Sequence, residues 1–522
     1  VNLSVLVVVT GGGVKKLNPI WPHALLILIS GLLILGLIDH GQDWGGDFAA
    51  YIMQTKSLVE GNPSEFIEAN RFTIEHTTYA FAPVAYPWGY PAMLAPIYAG
   101  FGQNIVALKS VGIACYMTLL IFIAVAFRKM HPALWLTMLV GFFAVNPTLL
   151  LFLNKVNSDI PFMLVSTISV FLIGRVAVFR KPLVSPLIDG LCLGLLIALA
   201  CTIRTNGVLL LASLLVTQIV SSLIPALDSQ KSQPAKQPRG MLILPYLAFF
   251  STMILVRLSL PDGESSHMDV LRQISPGNIY YNITYYTLLP RHVYDGAPYP
   301  QLIYLLTLPL AALGVARRFR RDYYILIYLV LTYILYVLWP ITQGVRFLFP
   351  ILPFYLSFVV TGLEVSQGNA SSPCAKPRRT LCILPALYVI VCLSVQSISI
   401  AQENLNRGRN TLDGPYTDAA IQLFDFIKTS TEPNDILVFF KPRVLRLYTG
   451  RKTFSARNTD SQGPADYLIV KTGEMKNQVQ PEGIAKLTEQ GRATRVFQNS
   501  DFEVYRLHLD KPGSDGPEHV PN

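Results

Sequence analysis

The chain of 522 residues is 52% hydrophobic and 14% charged, with a formal net charge of +10. So few charges exclude an ordinary soluble domain, in which about a quarter of the residues are charged. The Lys and Arg residues gather in short clusters between apolar runs instead of lining one basic face, which excludes a nucleic-acid groove and reads as the loops of a membrane protein.

A spanning helix needs about 20 mainly apolar residues. Such segments fall at 20–38, 105–127, 133–152, 160–179, 185–203, 207–225, 240–259, 300–315, 323–340, 346–363 and 381–400. They predict a polytopic α-helical membrane protein of about eleven spans. Lys15 and Lys16 precede the first run and no small-residue cleavage pattern follows it, so it reads as a retained span. Basic clusters then recur at Arg128 and Lys129, at Arg175 with Arg180 and Lys181, at 231–239, at Arg317, Arg318, Arg320 and Arg321, and at Lys376, Arg378 and Arg379. They alternate from loop to loop, which predicts a cytoplasmic N-terminus and an external C-terminus.

The external segments are long loops at 39–104 and 260–299, short ones near 154–159 and 340–346, and the tail. Chemistry is expected on that side. In the tail, 419–430 reads as an amphipathic helix, 435–440 as a buried strand, 444–448 as a short helix and 466–470 as a second strand. Residues 484–490 read as helical, and 493–498 with 502–507 as a closing hairpin around Asn499 and Ser500. The domains are therefore expected at 1–402 (membrane part), 403–510 (external soluble α/β domain) and 511–522 (a disordered tail). The six cysteines, Cys115, Cys192, Cys201, Cys374, Cys382 and Cys392, show no metal-ligand spacing, and none lies in the tail.

The first external loop opens with Asp43-Trp44-Gly45-Gly46-Asp47 and continues into a helical stretch ending at Gly61. Phe48, Ile52 and Val59 share a helical face, which predicts a short helix lying flat in the membrane interface. Asp47 and Tyr51, four residues apart, project from one side of it. A carboxylate there can act as general base toward an acceptor hydroxyl or amine; the alternative is that Asp43 or Asp47 merely caps the helix. Asp159, ahead of Pro161 at the mouth of a span, is a second acidic candidate with the same alternative. Arg204 and Arg346 break the positive-inside pattern. Each fits a phosphate by its fork of donors, or else forms a structural salt bridge to Asp47 or Asp159. Glu75, His76, His267 and His292 are possible ligands for a divalent metal, with solvated surface as the alternative. Residues 85–91, which include Tyr86, form an aromatic and proline segment suited to the headgroup region. Asn282-Ile283-Thr284 is a glycosylation sequon in an external loop.

Taken together, Gly46-Asp47 with Tyr51, Tyr86-Pro87-Trp88-Gly89-Tyr90-Pro91, Ser158-Asp159-Ile160-Pro161, Ile203-Arg204-Thr205-Asn206-Gly207 and Val345-Arg346-Phe347-Leu348-Phe349-Pro350 resemble the GT-C membrane glycosyltransferases. The likeness is to the group of protein O-mannosyltransferases and bacterial aminoarabinose transferases of lipid A. The resemblance implies a polyprenyl-phosphate sugar donor, a protein, lipid or glycan acceptor, and transfer with inversion on the external, periplasmic side of a bacterial inner membrane. It implies Asp47 as base with Asp159 assisting, and Tyr51, Tyr86, Arg204 and Arg346 as binding residues for sugar and lipid phosphate. Many relatives carry a second acidic residue directly after the first-loop Asp. Here Phe48 stands in that place, against a metal-dependent site. The other readings are a flippase for lipid-linked sugars, for which internal repeats are not seen, and a silent scaffold relative.

Overall fold

The computed structural model describes residues 20–78, 83–179, 182–224, 240–263, 274–367, 375–458, 464–473 and 477–508. The basic runs at 15–16 and 231–239, Arg180, Lys181, His267, Cys374 and the tail at 511–522 lie outside the described residues. The chain forms two compact units. One comprises Val1–Asp39, Pro87–Leu260 and Ser266–Arg409, and the other His40–Tyr86, Pro261–Ser265 and Asn410–Asn522. The segment His40–Tyr86 thus clusters with the tail.

The first unit is helical: α1 (Trp21–Leu37), α4 (Gly89–Phe101), α5 (Ile105–Ala126), α6 (Ala133–Val145), α7 (Pro147–Leu153), α8 (Asp159–Ile173), α9 (Pro186–Ile203), α10 (Val208–Leu223), α11 (Gly240–Ser259), α12 (Pro276–Leu288), α13 (Pro300–Leu338), α14 (Leu352–Ser366) and α15 (Ala375–Asn406). Each of the eleven predicted apolar segments falls on these helices, 133–152 being divided between α6 and α7. By length and composition, seven helices among the described residues can cross a membrane, or eight when α6 and α7, bent by 48°, count as one broken span. α1 and α14 are shorter apolar helices. The outward faces are apolar: Leu384, Leu387, Val391, Val395 and Ile398 are exposed along α15, and Leu25, Leu28, Leu32 and Leu35 along α1. A soluble protein would bury such stripes; here they fit the hydrocarbon of a bilayer, and the chain is an integral membrane protein.

α13 covers two of the predicted spans. On a straight helix Tyr304 and Val337 would stand about 50 Å apart. Yet the Tyr304 hydroxyl donates to the Thr287 carbonyl on α12, while Asn282, also on α12, donates from Nδ2 to the carbonyls of Val337 at 3.0 Å and Trp339 at 2.6 Å. The helix therefore doubles back, and it does so at Asp322, where φ −112° and ψ 21° leave the helical region. Asp322 sits beside the arginine cluster, with Arg318 Nε 2.6 Å from its Oδ2.

Within the helical unit, small residues and buried polar pins set the packing. A Cβ on Gly314 of α13 would meet the Phe358 carbonyl oxygen at 2.0 Å, and one on Gly362 of α14 would meet that of Leu310 at 2.0 Å. The backbones of α13 and α14 thus touch at two reciprocal glycines. Lys109 of α5, 1% exposed, donates from Nζ to Asp39 Oδ1 at 2.9 Å and to Asn154 Oδ1 at 2.7 Å. Asn404 of α15 donates to the carbonyls of Gly36 and Ile38 at the end of α1.

The second unit contains α2 (Gly46–Glu60), α3 (Pro63–His76), α16 (Asp418–Ser430), α17 (Pro442–Thr449) and α18 (Pro481–Glu489). Its sheet is built from β1 (Ile436–Val438), β2 (Lys452–Phe454), β3 (Tyr467–Lys471), β4 (Ala493–Gln498) and β5 (Phe502–Leu507). The strand order is β2-β1-β3-β5-β4, with β1 parallel to β2 and β3, and β5 antiparallel to β3 and β4. Alternation sends Val438, Leu468 and Tyr505 to one face and Leu437, Ile469 and Val504 to the other. All six are buried, so both faces of the sheet are covered. Every tail element predicted from the sequence is present, and β2 is added to them. The helix expected to lie flat in the interface is different in character. Phe48 through Thr55 are buried on every side of α2, where α17 and α3 pack, and Val59 is 43% exposed. Gly61 ends the helix with φ +76°, a conformation glycine adopts without strain.

Gly314→Val should force α13 and α14 apart against backbone atoms. We expect a loss of about 3 kcal/mol, read as a lower thermal midpoint in detergent, whereas Gly344→Val, at a glycine whose added Cβ meets nothing within 4 Å, should leave the midpoint within about 1 °C.

Candidate functional site

In the second unit, the candidate base is organised by one buried amide. Gln54, 0% exposed, donates from Nε2 to the Tyr86 carbonyl at 2.8 Å and accepts from the Tyr86 amide at Oε1 at 3.1 Å. This two-point clasp fixes residue 86 against α2. The Tyr86 ring then lies 4.9 Å from that of Tyr51, tilted by 35°, and its hydroxyl donates to Asp47 Oδ1 at 2.6 Å. Tyr51 and Gln54 follow Asp47 along α2, so one helix presents all three partners of Tyr86.

Asp47 lies in the first turn of α2, where the helix dipole favours a carboxylate. The N-cap position belongs to Gly45. Asp43 closes the turn before it, accepting from the Gly45 amide at 3.1 Å and from Gln42 Nε2 at 3.0 Å. Burial, and after it the Asp47 charge, push the Tyr86 hydroxyl well above its ordinary range, so it stays a proton donor.

The tail supplies the rest of this environment. Arg443 of α17, 1% exposed, donates from Nε to Asn70 Oδ1 at 3.3 Å and from Nη2 to the Pro83 carbonyl. Its guanidinium stands 5.5 Å from the centre of the Tyr86 ring. Lys441, at the N-cap of α17, is held below its ordinary pKa by burial, with Asp47 and Asp43 opposing that shift. Trp44 donates its indole N–H to Asp413 Oδ1 at 2.8 Å and packs on Phe439, Phe440 and Phe502, which anchors the start of the loop to the sheet.

In the first unit, Asp159 is 3% exposed and opens α8. Arg204 Nη1 pairs with its Oδ1, and Arg346 Nη1 lies 3.8 Å from its Oδ2. Both guanidiniums also lie over Phe347, at 4.7 Å and 5.7 Å from the ring centre. The salt bridge weighed for the arginines is thus present, with Asp159 as its acid. Two cations on one carboxylate leave the trio with a formal charge of +1. Gly89 lets the chain approach closely here, since its Cβ would lie 2.6 Å from the Thr202 backbone, just before Arg204.

Of the four possible metal ligands, His76 and His292 make local contacts, and His267 lies outside the described residues. His76 Nδ1 donates to the Phe72 carbonyl at 3.0 Å, and its ring stacks on Phe72 at 4.1 Å. His292 Nδ1 donates to Asp295 Oδ2 at 2.9 Å. Glu75 sits beside His76 near the end of α3. Among the described residues, no group of three or more His, Cys, Asp or Glu side chains is placed to hold a metal ion. Sequence reasoning missed Gln54, Lys441, Arg443 and Lys109. Only Lys109 carried a visible signal, as a lysine inside an apolar span.

No protein-family model matches the sequence. No curated protein matches it either. Solved structures do. ArnT from Cupriavidus metallidurans bound to undecaprenyl phosphate superposes with a TM-score of 0.58 at 10% identity, covering 92% of this chain and 97% of that one; its apo state gives 0.55 at 12% identity, with the same shares of the two chains covered. The archaeal oligosaccharyltransferase AglB from Archaeoglobus fulgidus, in complex with an inhibitory peptide and a dolichol-phosphate, gives 0.55 at 11% identity over 86% of this chain and 69% of that one. The chain has the fold that these solved structures share.

Gln54→Leu should leave the amide and carbonyl of residue 86 without partners, at a cost of about 2–3 kcal/mol, measured by denaturant unfolding of the full chain. Tyr86→Phe keeps the clasp, so we expect it to remain within about 1 kcal/mol of wild type in the same assay.

Proposed function

We propose that the protein is an integral membrane glycosyltransferase that moves a sugar from a polyprenyl-phosphate donor to an acceptor hydroxyl or amine. The reaction is assigned to the external face of a bacterial inner membrane, with the N-terminus cytoplasmic and the tail periplasmic, the side without the basic loop clusters. Asp47 is the base. It takes the proton of the acceptor nucleophile as that atom attacks the anomeric carbon. The bond from that carbon to the phosphate oxygen breaks, the electron pair stays on the oxygen, and the configuration inverts. Tyr86 orients Asp47 through its hydroxyl, and Tyr51 presents an aromatic face for the sugar. Arg204 and Arg346, held by Asp159, bind the lipid phosphate and stabilise its charge as it leaves.

The observation that carries this reading is the partly exposed Asp47 carboxylate at a helix N-terminus, oriented at 2.6 Å by a tyrosine kept protonated. The +1 trio at Asp159 supports it as a phosphate partner. The ligands of the two neighbours, undecaprenyl phosphate and dolichol phosphate, are consistent with that donor class.

Purified protein in detergent, given radiolabelled polyprenyl-phosphate sugars and cell-envelope acceptors, should transfer label or release polyprenyl phosphate. Asp47→Asn should lower the rate by about 10²–10⁴-fold at an unchanged thermal midpoint. Binding of such lipids by wild type with no turnover would sink the transferase reading and leave a carrier of lipid-linked sugars.

A further inference from the structure

Helix α17 carries a cation that neither the proposed base nor the lipid-phosphate trio uses. Arg446 lies three residues beyond Arg443, on the same side of the helix. Its Nη1 is buried and has no hydrogen-bond partner, and among the described residues no ion pair engages the side chain. Burial, and after it the neighbouring Arg443 charge, lower its pKa to about 10, so it is still protonated at neutral pH. A charged nitrogen removed from water without a partner is an unfavourable arrangement that a bound anion relieves. The side chain as a whole is half-buried, which leaves an approach from solvent.

We propose that Arg446, backed by Arg443, is a binding site for a phosphate group, separate from the Arg204 and Arg346 pair. The fork of a guanidinium matches two oxygens of a tetrahedral oxyanion, and a second cation behind it favours a group with more than one negative charge. The phosphate comes either from a phosphorylated lipid or from the free ion.

The test is thermal unfolding of the full chain in detergent, with inorganic phosphate titrated against chloride at equal ionic strength and phosphatidic acid micelles as the lipid arm. Wild type should be stabilised by phosphate, and Arg204→Gln should retain the part of that response that Arg446→Gln loses. Arg446→Gln should unfold at a higher temperature than wild type in phosphate-free buffer, because an uncompensated cation is gone, and should bind phosphate roughly tenfold more weakly or worse. Arg446→Lys, with charge but no fork, should fall between the two. A preference for phosphatidic acid over the free ion assigns a lipid source, and the reverse assigns the free ion. The proposal is overturned if phosphate fails to stabilise wild type, if Arg446→Gln responds as wild type does, or if it unfolds earlier or fails to fold. Turnover is not read in this assay, so a chain that binds phosphate here but never transfers sugar removes the transferase reading alone.

Discussion

A single buried amide, Gln54, performs for residue 86 the service that a neighbouring strand performs in a sheet: it satisfies the backbone N–H and C=O together. Everything else around Asp47 follows from that constraint. With the backbone of residue 86 fixed against α2, its ring lies on that of Tyr51 and its hydroxyl reaches Asp47. Arg443 closes the arrangement from the tail by holding the Pro83 carbonyl and Asn70. A loop with no regular structure of its own around 83–86 is thereby held by side chains on helices, a firmer support than loop backbone can provide for a reacting group.

The helical unit solves a different problem. In hydrocarbon the apolar effect no longer drives helices together, so close backbone approach and hydrogen bonds must do so. The reciprocal glycines of α13 and α14 supply the first. The second comes from Lys109, Asn146, Asn282 and Asn404, each buried and each donating to a backbone carbonyl. These pins sit near helix ends, where carbonyls lack an intrahelical partner.

Spans and tail elements were legible because each is a local pattern: about twenty apolar residues, an alternation, a proline at a helix start, or Asn499-Ser500 between two apolar-polar runs. The chain left less trace where long-range pairing decides. β2 is only Lys452, Thr453 and Phe454, too short for periodicity, and it is a strand because β1 pairs with it in parallel. α2 reads as an amphipathic interface helix from Phe48, Ile52 and Val59. It is instead enclosed by α3 and by α17, which follows it by almost four hundred residues. The candidate carboxylates and arginines stood out as ionisable groups in apolar surroundings. Gln54 and Arg443 did not, since one amide or one cation on a short helix carries no mark of its partners.

The buried state of Asn282 also bears on how the protein can be produced. Its amide nitrogen is committed to the carbonyls of Val337 and Trp339, which ties α12 to the end of the returning arm of α13. Once folded, this asparagine offers no nitrogen to a modifying enzyme. In a secretory host, however, sequons are met on the emerging chain, before α13 has been completed. A glycan added at that moment would occupy the position where two carbonyls must be satisfied, and the hairpin could not close. Where α12 faces the lumen of such a host, folding and modification therefore compete at Asn282.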